Sequence, residues 1–165
     1  MKKHNGFTLI ELLITLTIAA ILLSIGVPSF QYVIQSNRVS TQTNELVTAL
    51  SVARTEAVRR NLSVRMDILD SDGDGSIDRL EVAVDDTDEV LRVFDGFGTR
   101  IDLDDADGND PANTITFLAT GRRDLSGDEV TYGLQPDDDC LGDMRREVTV
   151  ALGGSTRTET MECDQ

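Results

Sequence analysis

The sequence has 165 residues, of which 39% are hydrophobic, and its formal net charge at pH 7 is −15. This length accommodates one membrane helix and one small globular domain. A strongly acidic chain suits a secreted, soluble surface and repels phosphate backbones. The composition therefore argues against general affinity for nucleic acid.

The N-terminal segment from Phe7 to Val27 is apolar and carries a single charged residue, Glu11. About 20 apolar residues cross a bilayer as a helix, so the segment predicts a membrane span. Lys2 and Lys3 precede it and favour a cytoplasmic N-terminus. A carboxylate inside a membrane helix costs about 2.5–3.5 kcal/mol on insertion scales, so we expect Glu11 to have a partner.

One N-terminal motif carries a family resemblance: Gly6-Phe7-Thr8-Leu9-Ile10-Glu11. It resembles the class III signal of type IV pilins and of the pseudopilins of type II secretion. The resemblance implies that prepilin peptidase removes leader 1–6 by cutting between Gly6 and Phe7, and that Phe7 is then N-methylated. The helix would stay in the inner membrane until the subunit joins a filament. The new amine of Phe7 would give Glu11 a charge partner within its helix or on a neighbouring subunit. The alternative is a plain anchor with an isolated acid.

Beyond the predicted span the helical pattern continues and becomes amphipathic. We expect one helix over 7–60, with a membrane half at 7–28, an amphipathic half at 29–60, a bend near Gly26–Pro28 and a stop at Asn61. The apolar stripe that a sheet would cover consists of Phe30, Val33, Ile34, Leu46, Leu50, Ala53 and Ala57. The opposite, polar face consists of Gln31, Gln35, Arg38, Gln42, Asn44, Glu45, Arg54, Arg59 and Arg60.

From residue 61 to 165 the periodicity changes to alternation, which predicts a globular β domain. The alternating segments are Leu62–Ile68, Glu81–Val84, Glu89–Phe94, Thr114–Leu118, Glu129–Tyr132 and Arg146–Leu152. We expect five or six short antiparallel strands with the helix against one face, which is an α+β fold.

Two further stretches resemble the GspH/FimT type of pseudopilin and minor pilin. They are the helical run 45–61 and the C-terminal region in which 117–122 and 153–157 precede Cys163. The resemblance covers roughly two thirds of the chain and implies a pilin fold. It implies a periplasmic domain that docks with other minor subunits and the major subunit near a filament tip and helps to start assembly. The sequence leaves open whether the filament is a type IV pilus or a type II secretion pseudopilus.

The acidic segment 70–81 matches a calcium-binding EF-hand loop position by position. The candidate ligands are Asp70, Asp72, Asp74, Ser76 through its carbonyl, Asp78 through a water, and Glu81. Its flanks predict strands, whereas an EF-hand needs helices, so we expect a structural calcium clip rather than a sensor. The alternative is a solvated acidic hairpin loop.

A second acidic segment, 102–110, has no such register, and we predict a solvated loop, with a weak ion site as the alternative.

Two cysteines, Cys140 and Cys163, lie late in the chain. On a domain outside the cytoplasmic membrane we expect them to form a disulfide. The alternative is two free buried thiols.

Catalytic chemistry finds little support in the sequence, and we expect no enzymatic activity. The only histidine lies in leader 1–6, so the processed chain would lack Ser/His or Cys/His catalysis and the usual zinc sites.

DNA binding is the alternative function, because some FimT-type minor pilins bind DNA through a Gly-Arg-x-Arg pattern near the C-terminus. Here the stretch is Gly154-Ser155-Thr156-Arg157, without the first arginine. A basic face of the domain would contact phosphates. Its candidate residues are Arg122, Arg123, Arg145, Arg146 and Arg157. The acidic remainder opposes this interpretation.

Overall fold

The computed structural model describes residues 7–70, 77–98, 100–105, 113–124, 129–137, 140 and 142–163, and for residues 27–29 the backbone alone. This part of the chain contains one helix, α1 (Leu9–Arg60), followed by eight strands. The strands are β1 (Val64–Leu69), β2 (Arg79–Val84), β3 (Val90–Asp95), β4 (Ile101–Asp104), β5 (Thr114–Phe117), β6 (Val130–Pro136), β7 (Arg145–Val150) and β8 (Thr156–Met161).

The chain divides into two compact units, Met1–Gln35 and Ser36–Gln165. In the first unit the described apolar side chains of α1 are exposed, from Leu9 at 77% to Ile25 at 70%. The 52-residue α1 is the one helix in the described chain that is long and apolar enough to cross a membrane.

The second unit has a hydrophobic core that begins on α1 at Val39. Its helical side is formed by Val39, Leu46, Ala49, Leu50, Ala53 and Ala57, all at most 1% exposed. The prediction that a sheet covers Phe30, Val33 and Ile34 is wrong, because these three side chains lie in the first unit and are 51–72% exposed. Periodicity identifies an apolar face but not what covers it.

The helix ends where the sequence predicts, at Asn61, which adopts φ 56°. The amide of Leu62 donates to the carbonyl of Ala57 at 3.3 Å. A left-handed residue after the helix together with this bond forms a Schellman motif, which satisfies a terminal carbonyl.

The strands form two antiparallel four-stranded sheets: sheet A in the order β3-β2-β1-β5, and sheet B in the order β4-β6-β7-β8. Both sheets contribute to the core that packs on α1. The α+β class and the antiparallel pairing are confirmed, but the sequence predicts too few strands.

The strands missing from the prediction are β4 and β8. The loop predicted over 102–110 is wrong at its start, because Asp102 and Asp104 belong to β4, which pairs with β6. Residues 106–110 lie outside the described chain. In β8 five of six side chains are exposed, so no alternation of apolar residues marks it. Backbone pairing with a neighbour defines both strands.

An ion pair with a buried arginine joins two strands of sheet B across the strand that lies between them. Arg145 on β7 is 2% exposed, and its Nη1 and Nη2 each donate to one carboxylate oxygen of Asp104 on β4 at 2.8 Å. The guanidinium passes over Gly133 on β6, where an added Cβ would overlap both partners and lie 2.7 Å from Arg145 Cζ. This bidentate geometry holds edge strand β4 in register.

We expect Gly133→Ala to destabilise the protein by about 1–3 kcal/mol, because the new methyl group displaces the Arg145–Asp104 pair. Urea unfolding followed by circular dichroism measures the loss. Gly153→Ala is the matched control, since no atom lies within 4 Å of its added Cβ. Equal stability of the two variants would contradict the role of Gly133.

Candidate functional sites and family membership

The start of α1 is held by reciprocal bonds between Thr8 and Glu11. The backbone N–H and the hydroxyl of Thr8 each donate to Glu11 Oε2 at 3.2 Å, and the Glu11 N–H donates to Thr8 Oγ1 at 3.3 Å. This is a capping box, which satisfies free N–H groups of the first turn. The Thr-x-x-Glu spacing was visible in the sequence, but Thr8 was not predicted to be a partner of Glu11.

The hydroxyls of the apolar half of α1 are also satisfied within the helix. Thr15, Thr17 and Ser24 donate to carbonyls three or four residues earlier, at 2.8–2.9 Å. Because a bilayer interior offers no water to polar groups, internal satisfaction suits a helix in lipid. Residues 1–6, including Gly6, lie outside the described chain, so cleavage before Phe7 stays a prediction.

The predicted calcium loop is the connection between β1 and β2. Asp72, Asp74 and Ser76 lie outside the described residues. Strands flank the connection as predicted, and its ends are tied where the Asp78 N–H donates to Leu69 O at 3.0 Å. Glu81 lies within β2, opposite Asp67. Among the described residues no group of three potential ligands is placed to hold a metal, so the calcium site stays a prediction.

Gln42 forms a helix-to-loop contact that the sequence did not predict. The prediction that Gln42 lies on an exposed polar face is wrong, because it is 8% exposed. Its Nε2 donates to Gly96 O at 3.1 Å, and its Oε1 accepts from the Gly98 N–H at 2.9 Å. Phe97 between them is fully buried. The loop after β3 thus pairs with one helix side chain.

The arginines predicted as a DNA-binding face do not form one exposed surface. Arg123 and Arg145 are buried, with exposed fractions of 5% and 2%. Arg122 and Arg157 are exposed, and Arg157 forms an ion pair with Glu159. Arg146 donates to Asp143 O at 2.8 Å. The prediction of a common face is wrong because two of its members are used inside the fold.

The disulfide prediction is confirmed: Cys140 and Cys163 are bonded, with Cα atoms 5.7 Å apart. The Cys163 N–H also donates to Gly142 O at 3.0 Å. The bond ties the segment before β7 to the segment after β8.

Carboxylates concentrate at the β4 edge of sheet B. Partial burial raises the pKa of Asp102, and the neighbouring charges of Asp137 and Asp104 raise it further. The charged form of Asp102 is thus disfavoured in the folded protein.

A family model described as type II transport protein GspH matches residues 42–154, which take in strands β1 to β7. The chain belongs to the GspH family. A second model, the prokaryotic N-terminal methylation motif, matches residues 1–27. The resemblance to minor pilins and pseudopilins is confirmed.

Solved structures share the fold of this GspH-family chain. A crystal structure of the type IV minor pilin FimU from Pseudomonas aeruginosa is 22% identical, covers 74% of this chain and 89% of its own, and has a TM-score of 0.59. The minor pseudopilin EpsH from the type 2 secretion system of Vibrio cholerae is 16% identical, covers 74% and 97%, and has a TM-score of 0.51. Among curated proteins none matches. At these identities the likeness shows the pilin fold.

We expect Asp102→Asn to raise the melting temperature at pH 7. The folded-state pKa lies above the ordinary 3.8, so this carboxyl costs nothing below pH 3.8 and opposes folding as the pH rises through the raised pKa. The gain should shrink as the pH falls towards 3.8, which thermal melts at several pH values would show.

Asp86→Asn, which removes one charge from the exposed turn after β2, controls for the lower net charge. An equal gain in both variants at every pH would assign the effect to net charge instead.

Proposed function

We propose that this protein is a minor subunit that helps to start assembly of a type II secretion pseudopilus or a type IV pilus. One observation carries the proposal: a continuous helix joins an N-terminal methylation motif to a GspH domain. Prepilin peptidase would cut between Gly6 and Phe7, and Phe7 would be N-methylated. The proposal assigns the chain no catalytic role.

The exposed apolar surface of α1 supports an inner-membrane anchor before assembly and a filament core afterwards. The C-terminal domain would then face the periplasm, where the Cys140–Cys163 bond is chemically favoured. Its partners would be other minor subunits and the major subunit, near the filament tip. The capping box would lower the cost of placing Glu11 in an apolar environment, because the N–H and hydroxyl of Thr8 already donate to its carboxylate. DNA binding remains a prediction from sequence without support from an exposed arginine cluster.

Deletion of the gene tests the assembly role. Cells lacking the chain should lose surface pili or secreted proteins, and the wild-type chain should restore them. Glu11→Val should be expressed without restoring assembly, because it removes the charged partner of the Phe7 amine, whereas Asp86→Asn should restore it. Electron microscopy counts pili, and gels of the culture medium report secretion.

Unchanged pili and unchanged secretion in the deletion strain would overturn the proposal. Loss of one function alone would identify the machine that uses the subunit.

We further propose a structural calcium site in segment 70–81. The proposal is supported by the register of its oxygen ligands and by the strand pairing that anchors both ends of the segment, with Leu69 opposite Arg79. Calcium accepts six to eight oxygen ligands in flexible loops, which suits this composition. The site would clip β1 to β2.

We expect millimolar calcium to raise the melting temperature and a chelator to lower it. Calcium at 100 times its dissociation constant would stabilise the fold by about 2.7 kcal/mol. The double variant Asp72→Asn/Asp74→Asn should lose the response, whereas Asp86→Asn should keep it. A wild-type melting temperature that neither calcium nor chelator moves would refute the site.

A further inference from the structure

Four large side chains of α1 are exposed beyond the predicted membrane span. Phe30, Tyr32, Val33 and Ile34 have exposed fractions of 72%, 45%, 51% and 56%. We call these four residues the collar. They lie in the first unit, and the core of the second unit begins later on the helix. A contiguous exposed apolar surface marks an interaction site, so the collar needs an occupant.

The collar lies at the height of a bilayer headgroup layer. A helix rises about 1.5 Å per residue, so Phe30 to Ile34 lie about 5–10 Å beyond Val27, where the predicted span ends. The hydrocarbon core is about 30 Å thick and the whole bilayer about 40–45 Å, which leaves roughly 5–7 Å for each headgroup layer. Helix tilt and the lean of side chains towards the N-terminus bring Ile34 closer to that layer.

The composition of this segment fits a headgroup layer better than water or hydrocarbon. Because a helix turns about 100° per residue, Phe30, Val33 and Ile34 share one side of α1. Gln31 and Gln35 lie on another side. Hydrocarbon would take the two amides away from water, which is costly, and water would surround the apolar side chains. A headgroup layer offers both apolar and polar contacts.

Tyr32 suits the boundary between lipid and water. The chain has two tyrosines and no tryptophan, and the other tyrosine, Tyr132, is buried in the core. Tyrosine is enriched at membrane interfaces because its ring is apolar and its hydroxyl is polar. The helical distance from Phe7 to Tyr32 is about 37 Å, which exceeds the hydrocarbon core and stays within the whole bilayer. An aromatic ring at each end therefore reaches a headgroup layer.

The angular spread of the collar favours lipid over a single neighbouring helix. Tyr32 points about 160° away from Phe30 around the helix axis. One neighbouring helix packs against one side of α1 and covers only one of these two rings. Lipid surrounds a membrane helix and contacts both.

We propose that the collar binds the headgroup layer of the outer leaflet of the inner membrane before the subunit joins a filament. The proposal rests on the membrane anchor proposed above and adds what contacts α1 beyond its span. Phe30, Val33 and Ile34 pack against the upper methylene groups of the lipid chains. The Tyr32 hydroxyl and the Gln31 amide bond to water, ester or phosphate oxygens. The contact fixes the depth of the helix, because movement in either direction places one kind of side chain in an unsuitable environment.

Tryptophan fluorescence in vesicles tests the depth of the collar. Since the natural chain has no tryptophan, each single variant of the full-length chain carries one reporter. The vesicles consist of phosphatidylcholine whose acyl chains carry bromine, a quencher, either near the headgroup end or near the methyl end. A low ratio of protein to lipid keeps the copies apart.

The variants Phe30→Trp and Tyr32→Trp place the reporter on two sides of the collar. Both should be quenched more strongly by bromine near the headgroup end than by bromine near the methyl end. Leu16→Trp, inside the predicted span, is the deep control and should show the opposite preference. Asp86→Trp, in the exposed turn after β2, is the control in water and should be quenched by neither lipid.

The outcomes separate this proposal from the anchor on which it rests. If Leu16→Trp is quenched while either collar variant is as unaffected as Asp86→Trp, the anchor stands and the collar proposal is wrong. Stronger quenching of the collar variants by bromine near the methyl end would place the collar in hydrocarbon and would also overturn the proposal. Absence of quenching in Leu16→Trp would overturn the anchor and the collar together.

Discussion

Burial of the small-residue face of α1 is the contact on which the globular unit depends. Ala49, Ala53 and Ala57 are completely buried in one cluster with side chains of both sheets. Leu46 and Leu50 belong to the same cluster and are also fully buried. Fully burying one leucine contributes about 1.5–3 kcal/mol, so burial of this face is a large part of the free energy that holds the helix on the sheets. Side chains of both sheets are buried in one cluster with this helix.

Polar contacts then select one arrangement from those that apolar packing would allow. Burial of leucines and valines is non-directional. The Gln42 amide, by contrast, forms both of its hydrogen bonds to the Gly96–Gly98 loop only in one relative position. Arg145 likewise reaches Asp104 only if β4 lies beside β6 in one register. An unsatisfied buried polar group costs about 1–3 kcal/mol, and more when charged, so a slipped register is penalised. These contacts hold the loops and edge strands that the core does not.

The continuity of α1 connects the two roles of a pilin-like subunit. Its first half exposes apolar side chains and satisfies its own hydroxyls, which suits lipid or a neighbouring helix. Its second half is amphipathic and forms the core of the domain. No loop separates the halves, because the helical pattern continues from the Gly26–Pro28 region into the buried face. The exposed apolar half and the half that contributes to the core are thus parts of one helix.

The sequence by itself determined the features that depend on local pattern: the apolar segment with Glu11, the end of α1 at Asn61, the alternation of the inner strands and the α+β class. Short-range sterics and periodicity specify these features. Only the tertiary structure decided that the core begins at Val39, that Gln42 is buried and that aspartates form β4. The same structure decided that Arg145 lies inside the fold rather than on a basic face. Such outcomes depend on residues distant in sequence. Burial and strand pairing each need two partners, and a local sequence pattern describes only one of them.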